Sequence, residues 1–373
     1  MENQNQKAVY IVSFIIFIIV VISLFAYVGG FKYLANQFSK TTEEGEVGVI
    51  SVHEQKKRDT NLAFDINDFD NVIRLANELI NEYPKDVSGY LSLAVAYLQQ
   101  GTITGETILY SDLAKPIIDR ALQVDPVNAE AYRLLANYHE LRMEWDEALE
   151  MFNKSVGLDP LDDAAYTGRG HLYYILGNDI LAEADYKNAL DINAFNAQAI
   201  TNLALLYMRT GQVETIDVEE MLLRSIEIET GHNFLAESYN ALGVLYLVER
   251  RFDDAISSFT NSIRYNQDLV PAINGLSMSH IQSIYRAFDE GNPEVVEGHL
   301  IKAIDLMAIV KEKDPDYSRV YLNQGIIDSF AEDYVAEKLS YEKGLSLIEG
   351  DTTLGMQEKE QVRKTFEDLI ATF

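Results

Sequence analysis

Six histidines have the broadest reach for acid–base or metal chemistry in this sequence: His53, His139, His171, His232, His280 and His299. None stands in a His-Glu-x-x-His zinc pattern. There is no cysteine, which removes disulfides, thiolate catalysis and cysteine metal sites together. Carboxylates number 59, so two acids at a suitable spacing carry no weight by themselves. Asp162-Asp163 and Asp253-Asp254 fall where helices should begin, and there the helix dipole favours negative charge. Gly168-Arg169-Gly170 lies inside a helical pattern, so its glycines read as close packing rather than a phosphate loop. With no nucleophile, metal set or cofactor loop in view, the sequence points away from catalysis. No enzyme activity, cofactor or metal is expected.

The elements that position these residues repeat. Tyr132, Tyr166 and Ile200 are 34 apart, as are Ala136, Gly170 and Ala204. Ala148 and Ala182 keep the step, and so do Phe152 and Tyr186. A fixed period of this length marks a solenoid, in which each unit buries its apolar face only against its neighbours. Within one unit, Tyr132, Leu135, Ala136 and His139 share a helical face, and Ala148, Phe152 and Ser155 share a second. Arg142-Met143-Glu144 turns between them, and Asp159-Pro160 ends the second helix, because proline has no N–H to donate. The small residues Ala136, Gly170, Ala204 and Gly243 belong where two helices cross closely, and the rings of Phe152, Tyr186 and Phe259 are expected to fill wider gaps between units. His139 and His280 occupy a slot that is tyrosine at 97, 173, 207 and 246, so both read as packed helix-interface residues.

The pattern of Tyr132 to Pro160, Tyr166 to Ala194 and Tyr239 to Gln267 resembles the tetratricopeptide repeat. The likeness covers roughly residues 69–348. It implies an all-α, right-handed superhelical solenoid of about seven helix–turn–helix units, acting in protein–protein interaction and complex assembly. Irregular spacing suggests inserted loops near 102–107, 213–217 and 288–293.

The resemblance also implies that first helices line a concave groove. Side chains of those helices that avoid the core are Arg133 and Asn137, then Thr167, His171 and Tyr174, then Gln198, Thr201, Leu205 and Met208, then Asn240, Val244 and Leu247. The first half of this set is polar and the second apolar, which suits an extended or helical peptide with apolar anchors. Arg133 and Asn137 match the start of the set with which some relatives hold a peptide's C-terminal carboxylate. Gly168, Gln198 and Thr201 depart from that set, and the departure puts carboxylate binding in doubt.

Net charge is −29, and residues 1–67 carry 6 basic and 7 acidic side chains, so nearly all the excess belongs to the repeats. That field repels nucleic acid. It serves either as a solubility device or as attraction for a basic partner. Ala8 to Phe31 holds no charged residue, and 24 residues of helix would reach across a bilayer core. The expected organisation is a head at 1–7, a transmembrane helix at 8–31, a stalk at 32–67, repeats at 68–349 and a C-terminal capping helix at 350–373. A single-pass membrane protein with extracytoplasmic repeats is the expectation, with a permanent subunit of a larger membrane or cell-envelope complex, or a secreted form after cleavage, as alternatives.

Overall fold

A computed structural model describes residues 51–373, apart from 66–67, 105–106, 230–231 and 352. The chain divides into two units, Met1–Asp59 and Thr60–Phe373, and the second carries the repeats. Among the described residues there are seventeen helices and no strand. Helix α1 (Val52–Asp65) falls in the segment read as a stalk, and α2 (Phe69–Glu82) leads the array. Seven pairs follow: α3 (Val87–Thr104) with α4 (Thr107–Val124), α5 (Ala129–Leu141) with α6 (Trp145–Leu158), and α7 (Asp163–Ile175) with α8 (Asp179–Ile192). Next come α9 (Ala197–Thr210) with α10 (Thr215–Ile228), α11 (His232–Val248) with α12 (Phe252–Tyr265), and α13 (Val270–Asp289) with α14 (Pro293–Lys313). The last pair is α15 (Val320–Phe330) with α16 (Tyr334–Leu347), and α17 (Met356–Ile370) closes the chain.

Each helix starts and stops for local reasons. Asn128, Asp162 and Asn196, again 34 apart, cap α5, α7 and α9 by accepting the amides of Ala131, Ala165 and Ala199. In six of the pairs the turn holds one left-handed residue. Gly177, Gly211 and Gly291 supply it in three turns, while Met143, Arg250 and Glu332 adopt it at a steric cost in three others.

The pairs are held by one recurring wedge. A Cβ placed on Gly243 of α11 would lie 2.8 Å from the Phe259 ring, and one on Gly275 of α13 would overlap the same ring. Phe259 of α12 is therefore clamped between the first helix of its own pair and that of the next. Phe152 of α6 meets Gly168 of α7 in the same way, and Tyr186 of α8 meets Gly170. The rings expected to fill wide gaps instead lie directly on the small residues. Polar ties repeat alongside. Ser155, Ser225 and Ser262 of second helices donate to the carbonyls of Ala129, Ala197 and Ala236 at the start of their own first helices. Arginines at the ends of first helices reach back to acids of the preceding second helix: Arg142 to Asp112, Arg209 to Asp179, Arg251 to Glu219 and Arg286 to Asp253.

The structure alters several expectations. No long loop stands at 102–107, because α3 continues to Thr104 and α4 begins at Thr107. Only a short turn separates α9 from α10, and the rest of the slack there is taken up by α11, whose helix begins earlier in the repeat frame. The extra length near 288–293 is absorbed by helices of 20 and 21 residues, α13 and α14, joined by a three-residue turn at 290–292. The expectation of a single-pass membrane protein with extracytoplasmic repeats is corrected: among the described residues no helix is long and apolar enough to cross a membrane. The longest two, α13 and α14, have the length of a span but carry charged residues within it. The segment 8–31 lies outside the described residues.

The wedge predicts a sharp contrast between two glycines. Gly275→Ala forces its methyl into Phe259 and should cost about 1–3 kcal/mol in urea unfolding. Gly157→Ala, on a helix with nothing near its Cβ, should be neutral or stabilising by up to about 1 kcal/mol.

Candidate functional site

First helices touch not only their partners but also each other: α3 with α5, α5 with α7, and onward to α13 with α15. This closer inner layer makes the first helices the concave side. The C-terminal helix comes back to it. A Cβ on Gly355, the cap of α17, would lie 3.2 Å from the Ile175 carbonyl oxygen at the end of α7, and Gln357 stands against Gly177 in the turn that follows. The array thus curls far enough for its last helix to meet its third pair.

The polar half of the expected groove is tied into ion pairs. Arg133 lies 3.3 Å from Asp162 at the cap of the next first helix and 3.4 Å from Glu130. Asn137 is half-buried beside it. His171 Nδ1 is 2.7 Å from Glu140 Oε1, a bridge between α7 and α5. The His171 side chain keeps 44% of its area accessible. Burial alone would lower its pKa, but Glu140, Glu237 and Glu358 outweigh that and raise it. Tyr174 lies under the Arg209 guanidinium, 3.6 Å from its ring centre, and its carbonyl accepts from Arg209 Nη1. Burial raises the Tyr174 pKa.

Two residues read as groove-lining are placed elsewhere. Thr167 is buried, donating to the Asp163 carbonyl and accepting from Asn196 Nδ2. Thr201 is buried in a hydroxyl cluster with Ser225 and Ser238, at 2.7 and 2.9 Å. Both hydroxyls are satisfied within interhelix joints, so neither faces a partner. Gln198 is exposed at the start of α9. Leu205, Met208 and Leu247 are half-buried against the main core, Val244 is exposed, and Asn240 is half-buried on the same helix as Val244. The apolar half is thus a step across α9 and α11 whose lower edge belongs to the core.

Glu237 and Glu358 were not visible as neighbours of His171. Glu237 stands one helical turn before Asn240, so the periodicity of α11 carried a signal for it. Glu358 is brought in by the curl of the whole array, which no local pattern encodes.

The remaining histidines divide. His139 Nδ1 pairs with Glu144 at 2.6 Å, and the side chain of His232 lies outside the described residues. His280 and His299 face each other with Nδ1 atoms 2.8 Å apart, so one ring donates and the other accepts. Among the described residues, no group of three or more histidines and acids is arranged to hold a metal.

Comparison with known proteins agrees with this geometry. Residues 111–163 and 163–196 each match the tetratricopeptide repeat, and the pairs that follow have the same helix–turn–helix form. Anaphase-promoting complex subunit 3 of Schizosaccharomyces pombe is 23% identical over 146 residues, 39% of this chain and 21% of that protein. Human protein O-mannosyl-transferase TMTC1 is 24% identical over 216 residues, 49% of this chain and 23% of that one. This chain therefore spans only about a fifth of the length of these relatives. Among solved structures, the anaphase-promoting complex hetero-tetramer Cut9–Hcn1 superposes with a TM-score of 0.63 at 15% identity, over 86% of this chain and 57% of that chain. That likeness shows the fold.

The paired histidines predict a pH dependence of stability. Burial, His299 and Lys302 push the His280 pKa down to about 4, and burial with Lys302 and Arg286 lowers that of His299 against the pull of Asp253. The unfolded chain takes up these protons near pH 6.5, so between that value and pH 4 it binds more protons than the folded chain. Stability should be undiminished above about pH 6.5 and fall by on the order of 2 kcal/mol toward pH 4. Urea midpoints measured across that range should flatten in His280→Gln.

Proposed function

We propose that this chain is a protein-interaction scaffold whose concave face, from Arg133 to Leu247, holds an extended or helical segment of a partner. One observation carries the reading. Leu205, Met208, Val244 and Leu247 form an apolar step on the inner layer, next to a polar half whose ion pairs hold it in a fixed shape. An apolar step beside fixed polar groups is what peptide grooves on helical surfaces use for anchoring and orientation. The repeat matches support interaction as the general role. The solved Cut9–Hcn1 hetero-tetramer is an assembly built on the same fold.

A second reading, a subunit held permanently in a larger complex, has its own support. Val127, Leu161 and Phe195 recur at one position in successive inter-unit turns, with 69%, 75% and 71% of their areas exposed. Such a row along one edge is unusual for a surface that meets only water.

The groove reading is tested with a phage library of random twelve-residue peptides selected on the full chain. Peptides enriched on the wild type should bind the doubly substituted Met208→Glu, Val244→Glu protein at least about tenfold more weakly, with circular dichroism unchanged. Equal binding to both proteins would reject the groove.

A further inference from the structure

We propose that the outer edge formed by the α13–α14 and α15–α16 turns docks a basic segment of a partner protein, seating apolar residues on the exposed rings there and a lysine or arginine on the carboxylates beside them. This surface is separate from the concave face and does not depend on the groove reading.

Tyr285 of α13 and Phe330 of α15 pack with ring centres 4.5 Å apart, which sets the ends of two first helices side by side. Phe288 lies on the same face of α13, three residues on, and Tyr334 and Val335 open α16 just beyond the 331–333 turn. That turn is tight, with the Glu332 amide donating to the Ser329 carbonyl and the Asp333 amide to that of Asp328. Burial and then the charge of Glu337 raise the Tyr285 pKa, which fits the first turn of α16 lying beside that ring. All five apolar side chains are exposed, Phe288 and Val335 by 71% and 72%. A cluster of exposed rings marks a surface that meets a partner.

The chemistry of the occupant follows from the earlier joints along this edge. At four of them an arginine reaches an acid early in the preceding second helix, as Arg251 does Glu219 and Arg286 does Asp253. The acids continue at the last joint, where Glu294 and Glu297 stand in the first two turns of α14. The arginine does not. Residues 287–301 and 320–337 hold four carboxylates each and no lysine or arginine. Of these eight, Asp328, Asp333 and Glu337 accept only from neutral groups, and the other five have no ion-pair partner among the described residues. Arg286 stands nearby, but both its terminal nitrogens donate to Asp253, at 3.1 and 3.0 Å. The last joint therefore offers rings and unpaired acids where four others hold an internal arginine.

Rings beside unpaired carboxylates fit a guanidinium or ammonium flanked by apolar groups, because the cation can lie on a ring face and still reach an acid. An anionic bilayer or a nucleic acid would be repelled. A second copy related by a two-fold axis would bring this same acidic rim against itself.

The test selects the random twelve-residue phage library on the full chain carrying Met208→Glu, Val244→Glu, so that the concave face takes no part. Enriched peptides should carry lysine or arginine next to aliphatic or aromatic residues. With Phe288→Ser added they should bind at least about tenfold more weakly. With Glu294→Gln, Glu297→Gln added instead, the loss should be at least about threefold. These three side chains are exposed, so circular dichroism should be unchanged. Replacing the basic residue of a peptide with norleucine should cost about the same threefold on the starting protein and nothing on the Glu294→Gln, Glu297→Gln protein. That cycle separates a local contact from the attraction of the whole acidic chain. A norleucine effect that persists on the glutamine protein would overturn the proposal. Enriched peptides without a basic residue, peptides indifferent to Phe288→Ser, or a selection that enriches nothing would do the same. The groove reading is decided separately, by the dependence on Met208 and Val244 of peptides selected on the wild type.

Discussion

Much of the array depends on an aromatic ring of a second helix, in α6, α8, α12 and α16, seated on residues too small to push it away. Phe259 shows the interaction most fully, with Gly243 of its own pair on one side and Gly275 of the next on the other. The contact joins two first helices through one side chain, so it fixes the angle within a pair and the step to the next pair at once. A ring cannot be compressed, and the glycines leave no slack, so each step is set by van der Waals contact rather than by charge. The serine-to-carbonyl bonds and arginine ties then lock rotations that the wedge alone leaves free. Each such tie contributes modestly, but its recurrence makes the step the same from pair to pair.

Repeating one step generates curvature, and curvature generates the site. Because first helices pack closer together than second helices, the array bends toward them and brings α17 back to α7. The charge of Glu358 then acts on His171 across 187 positions of sequence, together with that of Glu140, which touches it, and that of Glu237. The concave face is a property of the superhelix and not of any single repeat. Its fixed ion pairs, such as Arg209 with Asp179, sit at the joints between pairs, so the groups that hold the curve also shape the polar half of the groove.

Much of the fold is legible in the sequence because each repeat depends mainly on its neighbours. The 34-residue step, the Asn and Asp caps and the proline stops are local, and they place the helices from Ala129 to Thr210 closely. The reading of loops fails for a physical reason. Residues 102–104 and 288–289 continue the helices α3 and α13, and a helix lengthens at less cost than a loop is ordered. The candidate site is legible only in part. Helical periodicity finds Leu205, Met208 and Val244, but it counts Thr167 and Thr201 as surface when they are buried in hydroxyl joints. It assigns Tyr186 to packing, and the ring does pack on Gly170. Nothing local encodes the return of α17.

The closure of the curl is the claim on which the shape of the concave face stands, and the absence of native cysteine makes it directly measurable. Spin labels placed at Asn178→Cys and Gln361→Cys in the full chain would report the distance between the α7–α8 turn and α17 by double electron–electron resonance. The account predicts one narrow population at the separation of neighbouring helices, about 10–20 Å between backbones plus the label arms. An array that failed to close would put four pairs, and so about five steps of roughly 10 Å each, between the labels. A broad or single population near 50 Å would contradict the account.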